Sequence, residues 1–182
     1  MIYKCKPLHL RRNALHSFGT SRPITRTELD QLRRALPFRD SLACAIMADT
    51  GLRISDVLAI SRADLAQEME IREQKTGKIR HIKLSNQTYQ ECLAYLRMHP
   101  HDKLIPCHRS TLWRAITQAA DAFGWQHISP HSFRKLFAVE YCAQHGLKAT
   151  QEELQHKHIT TTLGYITDIK ELAQSISSGS DK

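Results

Sequence analysis

The chain has 182 residues, 41% of them hydrophobic and 24% charged, with a formal net charge of +8. That length suits one domain with a sizeable core, and the surplus of positive charge favours a polyanionic partner such as DNA or RNA without requiring one. No apolar run approaches the roughly 20 residues of a membrane helix, and the N-terminal Met-Ile-Tyr-Lys-Cys-Lys lacks an apolar signal core, so membrane and secreted proteins are disfavoured and a cytoplasmic location is expected.

Residues 1–22 are basic and irregular, with Lys4, Lys6, Arg11 and Arg12, and read as an arm or linker ahead of one domain over 23–182. Thr25 or Thr27 is placed to cap a helix through about Leu36, with Glu28 in its first turn. Pro37 separates it from a second helix burying Leu42, Ala45 and Ile46, and Gly51 is placed to stop that helix. A short helix then carries Arg53 to Ile60.

The period changes after Asp64. Met69 and Ile71 alternate with Glu68, Glu70 and Arg72, and Ile82 and Leu84 alternate with His81 and Lys83. With Thr76-Gly77 between them, the two runs predict a small antiparallel hairpin. Helical stripes follow: Tyr89, Cys92, Leu93 and Leu96; then Leu112, Ala115, Ile116, Ala119, Ala120 and Phe123; then Phe133, Leu136, Phe137 and Tyr141. A short helix is expected near Thr150 to Gln155 and a last one near Asp168 to Ile176. The fold class is therefore α+β, mostly helical, with one small sheet inserted early.

Five cysteines, Cys5, Cys44, Cys92, Cys107 and Cys142, are odd in number and widely spaced, as expected of reduced thiols. His99, His101, Cys107 and His108 are near one another in sequence, but their spacing fits no zinc pattern and reads better as a polar loop. No metal is expected.

Five local signals carry chemistry: Arg53 in Thr-Gly-Leu-Arg-Ile-Ser-Asp, Lys75 in Lys-Thr-Gly-Lys, His131 with Arg134 in His-Ser-Phe-Arg, His156 in Leu-Gln-His, and Tyr165 in Thr-Thr-Thr-Leu-Gly-Tyr. Taken singly, each has an ordinary explanation. Arg53 and Asp56 are three apart and would commonly pair on a helix surface. A lysine beside a hairpin turn is usually only solvated, and a tyrosine near a C-terminus is most often packing or surface.

Together, and in this order, they resemble the tyrosine recombinase, or phage integrase, family from about Thr25 to about Ile176. The most specific pieces are Ser-Pro-His-Ser-Phe-Arg at 129–134 and the stretch from Leu154 to Tyr165. In the family the late histidine precedes the nucleophilic tyrosine by nine residues, and His156 and Tyr165 keep that interval.

The resemblance implies an integrase-type catalytic domain acting on duplex DNA without a cofactor. Strands would be cut to a 3′-phosphotyrosyl intermediate at Tyr165 and rejoined, with four protomers holding two duplexes. Arg53 and Arg134 would clamp the non-bridging phosphate oxygens through forked, permanently charged donors, and His156 would add a third. By the same resemblance His131 is the base for Tyr165, whose type has an ordinary pKa near 10. Lys75 is the acid for the departing 5′-oxygen, and Asp56 orients Arg53 or another group of the site.

Three features depart from the pattern. The family usually has glycine before the late histidine; here Gln155 stands there, which bears on the pose of His156. Many relatives carry histidine after the second arginine; here it is Lys135, outside the catalytic set. Most relatives also carry a separate N-terminal DNA-binding domain, for which this chain has no room. A short single-domain branch, like the fimbrial phase-variation invertases, or a fragment is expected. The competing readings are a type IB topoisomerase and a catalytically silent module that competes for recombination sites.

Overall fold

A computed structural model of the chain describes residues 21–166. Their order is α1 (Arg26–Ala35), α2 (Phe38–Thr50), α3 (Ile54–Val57), β1 (Glu68–Arg72), β2 (Ile79–Lys83), α4 (Asn86–Met98), α5 (Arg109–Ala122) and α6 (Pro130–Glu153). Residues 159–166 are again helical. This is the mostly helical α+β architecture expected. Residues 1–20 and the helix expected near Asp168 to Ile176 lie outside the described residues.

Of the two possible caps for α1, Thr25 is used: its hydroxyl accepts the Glu28 N–H at 3.2 Å, and the Glu28 carboxylate accepts the Thr25 N–H at 2.9 Å. Glu28 also pairs with Arg22 at 2.6 Å. Helix α2 is buried from Asp40 to Ala48, against α1, α4, α5, α6 and β2. A helix apolar on every side belongs at the centre of a core. Gly51 ends it in the left-handed region, φ 64°, with its N–H on Met47 O at 2.9 Å. A Cβ there would stand 2.5 Å from Cδ1 of Phe137, so both conformation and space require glycine.

Helix α3 is shorter than expected, and Arg53 is its N-cap rather than part of its first turn. The hairpin forms with Glu68 opposite Lys83 and Arg72 opposite Ile79. Its inward face holds Met69, Ile71 and Ile82, and also the charged Arg80. The Arg80 guanidinium is met by Thr50 O at 2.9 Å and by Glu153 at 2.6 Å, as a buried charge must be.

Helix α6 starts at a Ser129 cap with Pro130 in the first turn. Gly146 (φ 83°, ψ 168°) breaks it, and the separate short helix expected near Thr150 is the part beyond that break, ending at Glu153. Most buried side chains share one core, but Ala138, Leu154 and Tyr165, with Phe137 against them, form a second small cluster.

Candidate active site

The turn after α2 and the start of α6 bring two arginines into one cleft. It encloses about 640 Å³, and Arg53, Lys75, Arg109, Trp113, His131 and Arg134 are among its lining residues. Arg53 is held by the Glu73 carboxylate, Nη1 to Oε2 at 2.7 Å. Arg134 is 1% exposed. Its Nη1 donates to Gly51 O at 2.6 Å and its Nη2 to Leu154 O at 2.7 Å. Burial first, then the positive charges of Arg53 and Arg80, push its pKa down to about 10, so it remains a cation at neutral pH. Its buried Nε has no partner among the described residues.

Tyr165 reaches the same place from the helical turn over 159–166. Its hydroxyl is 2.8 Å from Nε2 of His131. Its ring stands nearly perpendicular to both imidazoles, 88° to His131 and 85° to His156. Partial burial, then the charges of Arg134, Lys135, Arg53 and Lys75, push His131 down to about 4. The imidazole is therefore neutral at pH 7, and in the tautomer with its proton on Nδ1 its Nε2 accepts from the phenol. The Lys135 ammonium lies 5.2 Å above the Tyr165 ring centre, close enough for a cation–π attraction that holds the ring. Position 135, outside the expected catalytic set, nevertheless packs on the expected nucleophile: Lys135 is 3% exposed.

His156 completes the group. Its Nδ1 lies 2.9 Å from Thr162 Oγ1 and its Nε2 3.4 Å from Arg134 Nη2. A guanidinium only donates, so Nε2 accepts and the ring proton sits on Nδ1, toward Thr162. Burial, then Arg134 and Arg53, push this histidine down to about 4 as well. Thr162, one of the three threonines before Gly164, is fully buried and fixes the ring.

Lys75 is exposed at the tip of the hairpin. Two carboxylates anchor that loop. Asp56 is buried, and its Oδ1 accepts the Gln74 N–H at 2.9 Å, while its Oδ2 is 3.9 Å from Arg53. It steadies the hairpin more directly than it orients Arg53, and it does not form the surface pair that its spacing first suggests. The group that holds Arg53 is Glu73, which sequence reasoning passed over. Glu73 also accepts the Thr76 hydroxyl at 3.0 Å and lies 3.6 Å from Arg80 and 3.9 Å from Arg134. Burial alone would raise its carboxyl, but Arg53, Thr76 and Arg134 outweigh this and hold it below the ordinary range. A signal was present: the alternation that puts Met69 and Ile71 inside continues to Glu73, and the one that puts Ile82 inside runs back to Arg80. Opposite charges at two inward positions mark a buried pair.

Of the six expected site residues, Arg53, Lys75, His131 and Arg134 line one cleft, while Tyr165 contacts His131 and His156 contacts Arg134 behind it. The phage integrase family model matches residues 24–171. The chain belongs to the phage integrase family, whose members are the tyrosine recombinases. It is 26% identical over 177 residues to the tyrosine recombinase XerD of Chlamydia muridarum, with 88% of this chain and 58% of that protein covered. The chain spans little more than half the length of the curated relatives it matches. Among solved structures, XerA recombinase agrees with a TM-score of 0.70 at 20% identity, over 86% of this chain and 65% of that one. A lambda integrase tetramer bound to a Holliday junction agrees with a TM-score of 0.66 at 21% identity, over 81% and 48%. These likenesses show the integrase catalytic fold. Among the described residues, no helix is long and apolar enough to cross a membrane.

Proposed function

We propose that this chain is the catalytic domain of a site-specific DNA recombinase that cuts duplex DNA through a bond between Tyr165 and a 3′-phosphate. One observation carries the proposal: the Tyr165 hydroxyl lies 2.8 Å from a neutral imidazole, His131, on the wall of a cleft lined by Arg53, Arg134 and Lys75. A phosphodiester in that cleft meets two guanidiniums that neutralise its non-bridging oxygens. The phenol oxygen attacks phosphorus and its proton passes to His131 Nε2. The bond to the 5′-oxygen breaks, and that oxygen takes a proton from Lys75. Attack by the 5′-hydroxyl of a partner strand then reforms a phosphodiester and frees the tyrosine, with no net loss of bond energy. The arginines supply the positive charge that a metal ion would otherwise bring.

The lambda integrase neighbour supports DNA as partner and a tetramer as the working assembly. A domain beginning near residue 23 is supported by the family match from residue 24, and a cytoplasmic site by the bacterial and archaeal relatives. The presence of the expected nucleophile, base and clamp favours this reading over a silent DNA-binding module, which the departure at Gln155 would suit better.

The test uses duplexes selected by binding from a random-sequence pool, then nicked next to the cleavage point so that the cut strand diffuses away. The chain should form a protein–DNA adduct that withstands denaturant. Tyr165→Phe should bind the same duplex and form none. An adduct that persists in that variant, or that maps to Tyr141, would overturn the assignment.

A further inference from the structure

Gln155 has φ 53°, in the left-handed region that glycine adopts freely and other side chains adopt rarely. An unusual backbone kept beside a functional site calls for a reason in the side chain. The Gln155 amide spans from its turn to the hairpin. Its Nε2 donates to Ile79 O at 3.2 Å, and its Oε1 lies 3.3 Å from Thr76 Oγ1. The orientation is determined, because the Ile79 carbonyl only accepts.

The two segments joined in this way carry different parts of the site. Thr76 follows Lys75 at the tip of the hairpin loop. Gln155 precedes His156, whose ring meets Arg134 and Thr162. Within its own loop the tip is held by Glu73 N–H on Lys78 O, by Gly77 N–H on Glu73 O and by the Thr76 hydroxyl on Glu73. Thr76 has one hydroxyl proton for two acceptors, Glu73 and Gln155, so the firmer half of the tie is the bond to Ile79.

We infer that Gln155 is a positioning residue whose side-chain amide latches the Lys75 hairpin to the His156 turn, and so sets how often Lys75 stands over the cleft. The inference rests on Lys75 as the proton donor to the leaving oxygen. Glycine suits the left-handed backbone better than glutamine, so Gln155→Gly removes the latch without threatening the fold. Gln155→Asn is the second variant: asparagine also tolerates this backbone, but it is one methylene too short to reach Ile79.

The experiment has two arms on the full chain. In the first, hydrogen exchange is followed without DNA. Exchange over 73–80 should be about three- to tenfold faster in both variants, the range one neutral hydrogen bond supports. In the second, single-turnover cleavage of a selected duplex is compared with the same duplex carrying sulfur at the 5′-bridging position, a leaving group that needs little protonation. Both variants should be slowed about three- to tenfold on oxygen, match the parent on sulfur and bind DNA as the parent does. Unchanged exchange overturns the latch, and so does equal slowing on both substrates. If Lys75→Ala is itself not rescued by sulfur, the role of Lys75 fails. Exchange then decides the latch alone: faster exchange upholds the tie between hairpin and turn, and unchanged exchange removes it.

Discussion

The hydroxyl of Tyr165 and Nε2 of His131 stand 2.8 Å apart, with the imidazole held neutral by partial burial and by the cations around it. The acceptor is therefore available well below the pH at which an ordinary histidine, near 6.5, takes up its proton. In single-turnover cleavage, kcat/KM should stay level from pH 7 to about 5.5 and fall toward about 4, the value reached by both His131 and His156. An acid limb centred at 6.5 would show that at least one of the two histidines lacks this depressed proton affinity.

The same two groups link stability to pH. Both take up protons at about 4 in the folded chain and near 6.5 in the unfolded one. Between those values the unfolded chain binds more protons, so the folded state loses stability as pH falls from about 6.5 to about 4. Urea midpoints should drop across that window. The drop should be smaller in His156→Gln, and an equal drop in the variant would remove His156 from the account.

Arg53 and Arg134 should differ in what they do to the fold. Each alanine variant should slow cleavage by at least about 10², because each removes a preorganised cation from the phosphate site. Arg134→Ala also strips donors from two buried carbonyls, Gly51 O and Leu154 O, and should lose about 1–3 kcal/mol for each. Arg53→Ala takes the nearest partner from the buried Glu73 carboxylate and should lower the urea midpoint too, but by less, because Arg80 and Arg134 still face that carboxylate. Cleavage should be unaffected by excess chelator, and its restoration by magnesium after chelation would contradict the proposed mechanism.

Glu73→Gln removes the anion among three guanidiniums. The folded state should lose about 3 kcal/mol, as when one partner of a buried pair is deleted. Cleavage should fall too, and the Arg53→Ala defect should shrink in the Glu73→Gln background, as a double-mutant cycle would record. Strictly additive effects would mean that Glu73 does not act through Arg53.

Gly51→Ala combines a disfavoured backbone with a Cβ 2.5 Å from Phe137. Overpacking of this kind typically costs about 1–3 kcal/mol, readable as a lower denaturant midpoint. Because the Gly51 carbonyl anchors Arg134, cleavage should fall even where the variant is fully folded. Full activity in the folded variant would show that the anchor is dispensable.

The site was legible because its residues sit in short patterns whose order and intervals survive in one dimension, such as the nine residues from His156 to Tyr165. The helical stripes were legible from their period, although Phe123, placed in one of them, is 43% exposed. What escaped depends on three-dimensional pairing. Glu73 and Arg80 carry no motif, and only carrying the strand alternation one step further at each end puts them on the inward face. Thr162 looked like one threonine among three, and only its burial against His156 sets it apart. Lys135 lies outside the expected catalytic set, and only the folded arrangement brings its ammonium to 5.2 Å from the Tyr165 ring centre. Thr25 and Thr27 were equal as caps in sequence, and the reciprocal bonds of Glu28 with Thr25 decided between them.

Tyr165 is seated with Ala138, Leu154 and Phe137 in a satellite cluster, apart from the core organised around α2. Among the described residues that cluster is small, and segments held by small clusters open more readily than a main core does. The proposed nucleophile is thus expected to loosen before the α2 core does. On gentle warming or in dilute urea, adduct formation should vanish while helical circular dichroism is still that of the folded chain. The tyrosine proposed as nucleophile would then be engaged or withdrawn at little energetic cost to the remaining fold.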